Sequence, residues 1–243
     1  MFSLSSLLFT YTSFQTSGVP LRNPYFGKDT VSDPGVNRRP HIGSLQMAKR
    51  HISRLVANRT AFFCCDMQEA FRANIKYFSE ITEIARRMIE GGKILDIPLV
   101  VTEQYPKGLK HTVKELNISH AAGTFPKTLF SMVIPEVENI LTEKKLNTVV
   151  LFGIEAHVCV LHTALDLRER DYEVHIVADG CSSRALSDRV LAYERLKQAG
   201  CIMTSCETVL MELLGSKDHA KFKEVQKVVM DRAPSTGLDR TES

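Results

Sequence analysis

From Arg59 onward, apolar runs alternate with segments in which apolar residues recur every three or four positions. AFFCCD (61–66) is a continuous apolar run closing on a carboxylate. PLVVT (98–102), TVVLFG (148–153), EVHIVAD (173–179) and CIMT (201–204) are further short runs. Their length and β-branched content predict strands. Between the first two, SEITEIARRMIEGG (79–92) places Ile81, Ile84, Ala85, Met88 and Ile89 on one helical face, with Ser79 as the expected cap and Gly91–Gly92 as the expected stop. IPEVENILTEKK (134–145), with Pro135 near its first turn, HVCVLHTALDLRER (157–170), SDRVLAYERLKQAG (187–200), ETVLMELLG (207–215) and HAKFKEVQKVVM (219–230) read as the remaining helices. The stretch between 103 and 133 reads as a long, loop-rich connection.

Strands that are apolar on both faces and alternate with amphipathic helices imply a sheet covered by helices on both sides. The expected fold class is α/β, with a mainly parallel, doubly wound (Rossmann-like) sheet and right-handed crossovers. Ligands of such sheets gather outside the carboxyl ends of the strands, so the chemistry is sought there. Asp66 ends the first strand; Thr102, Glu103 and Gln104 end the second; Gly153 to Cys159 follow TVVLF; Asp179 and Cys181 follow EVHIVA; Lys127 lies in the long connection, within GTFPKTLFS.

An acid, a cation and a thiol on one rim form a coherent set. Only the thiolate attacks a carbonyl well, and a neighbouring ammonium and a helix N-terminus both favour it. An ionised Asp can accept the thiol proton and return it to a leaving amine. Backbone N–H groups of a turn opening a helix can hold the developing oxyanion.

The 243 residues suffice for one sizeable domain plus an extension. Residues 1–56 are rich in Ser, Pro, Gly and Asn without sustained periodicity and are expected to be a disordered extension, with Met47 an alternative start; the domain is expected over 57–234 and a flexible tail over 235–243. The formal net charge of +3, with basic residues spread among acids, gives no stripe for nucleic acid. No apolar run reaches the roughly 20 residues of a bilayer span, so no membrane partner is expected. Six cysteines without a C-x-x-C, in a chain this long, point to a reduced intracellular protein. Cytoplasm is the expected compartment, with mitochondrial or peroxisomal delivery left open.

CCDMQEAF, GTFPKTLFS and GIEAHVCVLHTALDL, in this order, resemble the isochorismatase-like hydrolase superfamily. TEQYPKGL, HIVADGCSSR and KDHAKFKEVQK are most similar to its eukaryotic domain-containing members, and the resemblance covers roughly Arg59 to Leu238. It implies a three-layer α/β/α sandwich, an Asp–Lys–Cys triad at Asp66, Lys127 and Cys159, and no cofactor. It also implies a cis peptide at Ile154–Glu155 that aims the N–H of Glu155, with that of Cys159, into an oxyanion hole. A small-molecule substrate and a homo-oligomer are implied as well. Family nicotinamidases bind a metal through Asp-x-His after the second strand; TEQYPKGLKHT lacks that pattern, so no metal is expected. Cys159 favours amide-type hydrolysis through a thioester, the alternatives being cleavage of an isochorismate-like vinyl ether without the thiol, or a silent binding scaffold.

Around this core, Gln104 either faces substrate or caps a loop, and Phe71 and Tyr105 either wall the pocket or simply pack. Cys64, Cys65, Cys201 and Cys206 are read as core residues, as buried cysteines usually are. Cys181 is placed near the rim without an evident partner. His157 offers a possible Cys–His base, but the spacing His157, Cys159, His162 matches no common zinc pattern.

Overall fold

A computed structural model describes residues 53–238. The expectations for residues 1–52, including the start at Met47, and for 239–243 lie outside the described residues. Packing is present from the first described residues: the Ser53 hydroxyl lies 2.9 Å from His175 Nε2, and Leu55 is buried. At the other end it continues past 234: Thr236 is buried and its carbonyl accepts from Arg189 Nη1.

The six strands are β1 (Thr60–Cys65), β2 (Leu99–Gln104), β3 (Gly123–Lys127), β4 (Thr148–Ile154), β5 (Glu173–Ser182) and β6 (Ile202–Thr204). The helices are α1 (Phe78–Ile94), the single turn α2 (Pro106–Leu109), α3 (Pro135–Glu143), α4 (Leu161–Glu169), α5 (Leu186–Gln198), α6 (Cys206–Leu214) and α7 (Phe222–Val229). All strand pairs are parallel, in the order β3-β2-β1-β4-β5-β6. Helices α1, α6 and α7 pack on one another, while α4 and α5 pack together against β5. This is the doubly wound α/β sandwich expected. Its winding reverses between β1 and β4, the place where such folds open a crevice.

Burial explains why these runs are strands. Every residue of β1 and of β4 is buried, as strands covered on both faces must be. The core face of α1 is the one anticipated: Ile81, Ile84, Ala85, Met88 and Ile89 are buried.

The structure corrects several local expectations. Ser79 does not cap α1; Tyr77, in a left-handed conformation, precedes it, and the Ser79 hydroxyl donates to Glu80. Gly91 and Gly92 do not stop the helix, which runs on to Ile94. They are glycines because neighbours approach closely: a Cβ on Gly91 would lie 2.5 Å from Leu210 Cδ2, and one on Gly92 2.7 Å from Phe62 Cδ2. GTFPK is a strand and not part of a loop; as the edge strand β3 it tolerates Pro126, which lacks an N–H to donate. Cys159 does not sit in a continuous α-helix, because Ala156–Val160 form one turn of π-helix before α4.

Candidate active site

Strand β1 delivers Asp66, which is fully buried and left-handed at φ 50°. Asp is one of the few side chains that enters this region with modest penalty. The turn is held by its own backbone, since Asp66 N–H donates to the Thr102 carbonyl at 3.2 Å and Asp66 C=O accepts from Gln68 N–H at 2.8 Å. Each carboxylate oxygen has a donor. Oδ1 accepts from the Thr102 hydroxyl at 2.8 Å, and Oδ2 from Lys127 Nζ at 2.7 Å.

Lys127 closes β3, with its side chain sealed from solvent. Besides Asp66, its ammonium reaches Gln104 Oε1 at 2.7 Å, the Phe130 carbonyl at 2.9 Å and the Leu129 carbonyl at 3.1 Å. Burial, the largest influence on this group, disfavours the charged form. The negative character of Cys65, Asp66 and Cys159 outweighs it and holds the ammonium above its usual range. Asp66 and Lys127 therefore form a buried ion pair at the carboxyl edge of the sheet.

Cys159 is 7% exposed and sits in the π turn that follows β4. The peptide Ile154–Glu155 is cis, where the resemblance placed it. The Glu155 carbonyl accepts from the N–H groups of Val158 and Val160, and the Cys159 carbonyl from the Thr163 hydroxyl. The buried Glu155 carboxylate accepts from Arg184 N–H at 3.1 Å and from Arg184 Nε at 3.2 Å, which ties the turn to the end of β5. Gly153, at φ 122°, lets β1 and β4 meet: a Cβ there would lie 2.1 Å from the Cys65 carbonyl oxygen.

The outer candidates fall differently. Gln104 uses its side chain to hold Lys127 and donates from Nε2 to the Thr128 carbonyl, so it supports the cation. Phe71 packs partly buried against the core. Tyr105 is half exposed, and its ring lies over Gly108, where a Cβ would come within 2.6 Å of it. His157 turns away from the thiol, with Nδ1 3.0 Å from the Ser183 hydroxyl and Nε2 3.8 Å from Asp188; His162 is exposed and tilts against the Phe130 ring. Among the described residues, no group of three or more His, Cys, Asp or Glu is placed to hold a metal ion.

All six cysteines are free and buried. Cys181 lies beside Gly153 in the sheet, sealed in the core, where burial pushes its thiol up to about 12. Cys65, the last residue of β1, is sealed in the sheet between Thr102 of β2 and Gly153 of β4, where burial pushes its thiol well above its ordinary range. Thr102, noted in the sequence only as a strand-end residue, has a role that the sequence did not assign: it donates to Asp66. β2 lies beside β1 with Thr102 in register with Cys65, next to Asp66, a relation that strand pairing creates and sequence spacing does not.

A six-stranded all-parallel sheet flanked by helices on both faces is the fold of the isochorismatase-like α/β proteins. The isochorismatase domain matches residues 60–208, and the chain belongs to this family of hydrolases. The chain is similar to isochorismatase domain-containing protein 1 of Salmo salar, 50% identical over 188 residues, covering 77% of this chain and 66% of that protein. It is also similar to isochorismatase domain-containing protein 2 of Xenopus laevis, 47% identical over 190 residues, covering 78% of this chain and 92% of that one. Among solved structures, one described as MAR1 ribonuclease from Caenorhabditis elegans is 52% identical with a TM-score of 0.73, covering 76% of this chain and 97% of that one. Among the described residues, no helix is long and apolar enough to cross a membrane.

Proposed function

We propose that the protein hydrolyses a small amide-like compound through a thioester on Cys159. The observation that carries this reading is the buried contact of Lys127 Nζ with Asp66 Oδ2 at 2.7 Å, at the same edge of the sheet from which β4 runs into the turn that carries Cys159. Cys159 Sγ bonds to the carbonyl carbon while its proton passes to Asp66. The oxygen of the tetrahedral intermediate takes hydrogen bonds from the N–H groups of Glu155 and Cys159. Its C–N bond then breaks, with Asp66 returning the proton to the departing nitrogen. Water, deprotonated by Asp66, cleaves the thioester and frees the acid. Lys127 orients Asp66 and supplies positive charge, while Thr102 and Gln104 hold that pair in place. The reading includes a homo-oligomer and no nucleic-acid partner. A phosphodiester would meet an ammonium already engaged with Asp66, and a sulfur suited to attack on carbon.

A panel of small amides and ureides, with a short RNA included, tests it through released ammonia and through mass spectrometry of denatured enzyme trapped in turnover. The expected result is ammonia release, an acyl group on Cys159 and no turnover by a folded Cys159→Ala variant. Turnover that survives Cys159→Ser points to the vinyl-ether chemistry. RNA cleavage without an acyl-enzyme overturns the proposal.

A further inference from the structure

We propose that a cavity at the amino edge of the sheet binds a small phosphate monoester, held by Lys93, Lys144 and His120. The cavity measures about 360 Å³, within the size range of small-molecule sites. Lys93, in the last turn of α1, and Asp96, just beyond that helix, form one side of it. Lys144, directly after α3, lines it too, as do Ile97 and Pro98 on the approach to β2 and His120 on the approach to β3. In an all-parallel sheet the residues that lead into β2 and β3 lie at the opposite end from Asp66, which follows β1. The site is therefore separate from the candidate active site and does not depend on the hydrolase reading.

The charges around this cavity are not spent on one another. Lys93 and Lys144 are exposed, and among the described residues neither ammonium makes an ion pair or a side-chain hydrogen bond. Asp96 is exposed and pairs with neither, so the lining keeps two ammoniums against one carboxylate. His120 adds a third group. It is half-buried, yet both its ring nitrogens are sealed from solvent and have no hydrogen-bond partner. Buried polar atoms normally have one. Among the described residues, the other buried side-chain atoms in this state are Arg59 Nε and Ser182 Oγ, and neither residue lines the cavity. A half-turn of the imidazole about Cβ–Cγ exchanges its nitrogen and carbon edges, so a nitrogen can meet a group bound in the cavity. Burial, then the Lys93 ammonium, hold the imidazole below its ordinary range. An anion seated beside Lys93 reverses that second influence, and His120 then takes up a proton and donates. Two ammoniums and a chargeable imidazole match the dianion of a phosphate monoester; a carboxylate brings one charge and leaves an ammonium unmatched. Ile97 and Pro98 give a short carbon chain an apolar wall, and Asp96 accepts from a hydroxyl on that chain.

The full chain, isotope-labelled at histidine, is titrated with glycerol phosphate at constant ionic strength and about pH 7.5, where the monoester is mostly a dianion. Inorganic phosphate, glycerate and potassium chloride are separate arms, and the histidine ring signals are followed by NMR. His120→Gln or His120→Asn identifies the His120 signal. Glycerol phosphate is expected to shift that signal saturably and to raise the midpoint of its pH titration. The signal of His157, in the turn that carries Cys159, is expected to stay in place. Inorganic phosphate and glycerate are expected to bind more weakly than glycerol phosphate. Lys93→Met and Lys144→Met, at exposed positions, should each weaken binding by about tenfold, the worth of one charge-assisted hydrogen bond. The remaining histidine signals of each variant report that it is folded. A His120 signal that moves no more with glycerol phosphate than with potassium chloride overturns the site, as does a shift of His157 in its place. Glycerate binding as tightly as glycerol phosphate overturns the phosphate assignment, and undiminished affinity in both lysine variants overturns their part in it.

Discussion

Lys127 offers three hydrogens to four acceptors within 3.1 Å, and it does so without solvent. A buried pair of this kind is sensitive to losing one member, because the survivor keeps its desolvation cost without its partner. Asp66→Asn and Lys127→Met should each lower stability by about 3–5 kcal/mol. The double variant should lose clearly less than the sum, as read by urea unfolding in a double-mutant cycle; strict additivity would mean the contact carries no coupling. Thr102→Val removes the hydroxyl that donates to Asp66 Oδ1 and should cost about 1–3 kcal/mol. It should also slow acylation of Cys159 by about tenfold to a hundredfold, since a misaimed base loses that much, with Thr102→Ser restoring the rate. At this scale Asp66 and Cys159 are legible as candidates because one ends an apolar run and the other follows one; Lys127 reads only as part of a long connection, because its strand lies at the sheet edge and is not recognisable from patterning. The role of Thr102 is not legible, because it comes from lying beside Asp66 across β1 and β2.

The elements that sequence patterning misread share one physical cause, a packing neighbour that overrides local propensity. The interior of GTFPK is broken by Pro126 and alternates only weakly, so it reads as loop; at the edge of a sheet it pairs with β2 on one side alone and needs few donors. Gly91 and Gly92 carry the signature of a helix end, yet they lie inside α1 because Leu210 and Phe62 press against them. Gly92→Ala therefore sets two effects against each other. Helix propensity favours Ala by about 1 kcal/mol. Against that, the new methyl would lie 2.7 Å from Cδ2 of Phe62, a ring itself buried in the core. Overpacking of this kind costs about 1–3 kcal/mol, so the variant should be less stable than wild type by up to about 2 kcal/mol. A Tm above that of the wild type would show that Phe62 yields easily. Gly153→Ala is the harsher case, because its new atom meets backbone oxygen at a positive φ. It should lose about 2–4 kcal/mol and show depleted alkylation of Cys159.

The strand order could not be read from the chain, since apolar runs do not name their neighbours. The site nonetheless could, because every order of an all-parallel sheet leaves the carboxyl ends on one edge. The same double cover that makes β1 and β4 uniformly apolar also buries the thiols, and this gives the whole molecule a pH limit. Burial, first among the influences in each case, raises Cys64, Cys65 and Cys206, and pushes Cys181 up to about 12 and Cys201 up to about 11, from 9.0. Lys127 is raised above 10.5 by its anionic neighbours. Above pH 9 the unfolded chain releases thiol protons that the folded chain keeps, so the folded state binds more protons and its stability falls as pH rises. Their contribution is complete below pH 9 and is lost progressively through the folded values; that of Lys127 begins to fade only above 10.5. Each retained proton steepens the loss by up to about 1.4 kcal/mol per pH unit. Urea midpoints measured under reductant between about pH 8 and pH 11 should therefore be flat at first and then drop. Cys206→Ala should show a shallower drop than wild type. A wild-type midpoint constant across that range would mean that the buried thiols ionise in the folded protein as readily as in the unfolded chain, and the sealed environment described for them would be wrong.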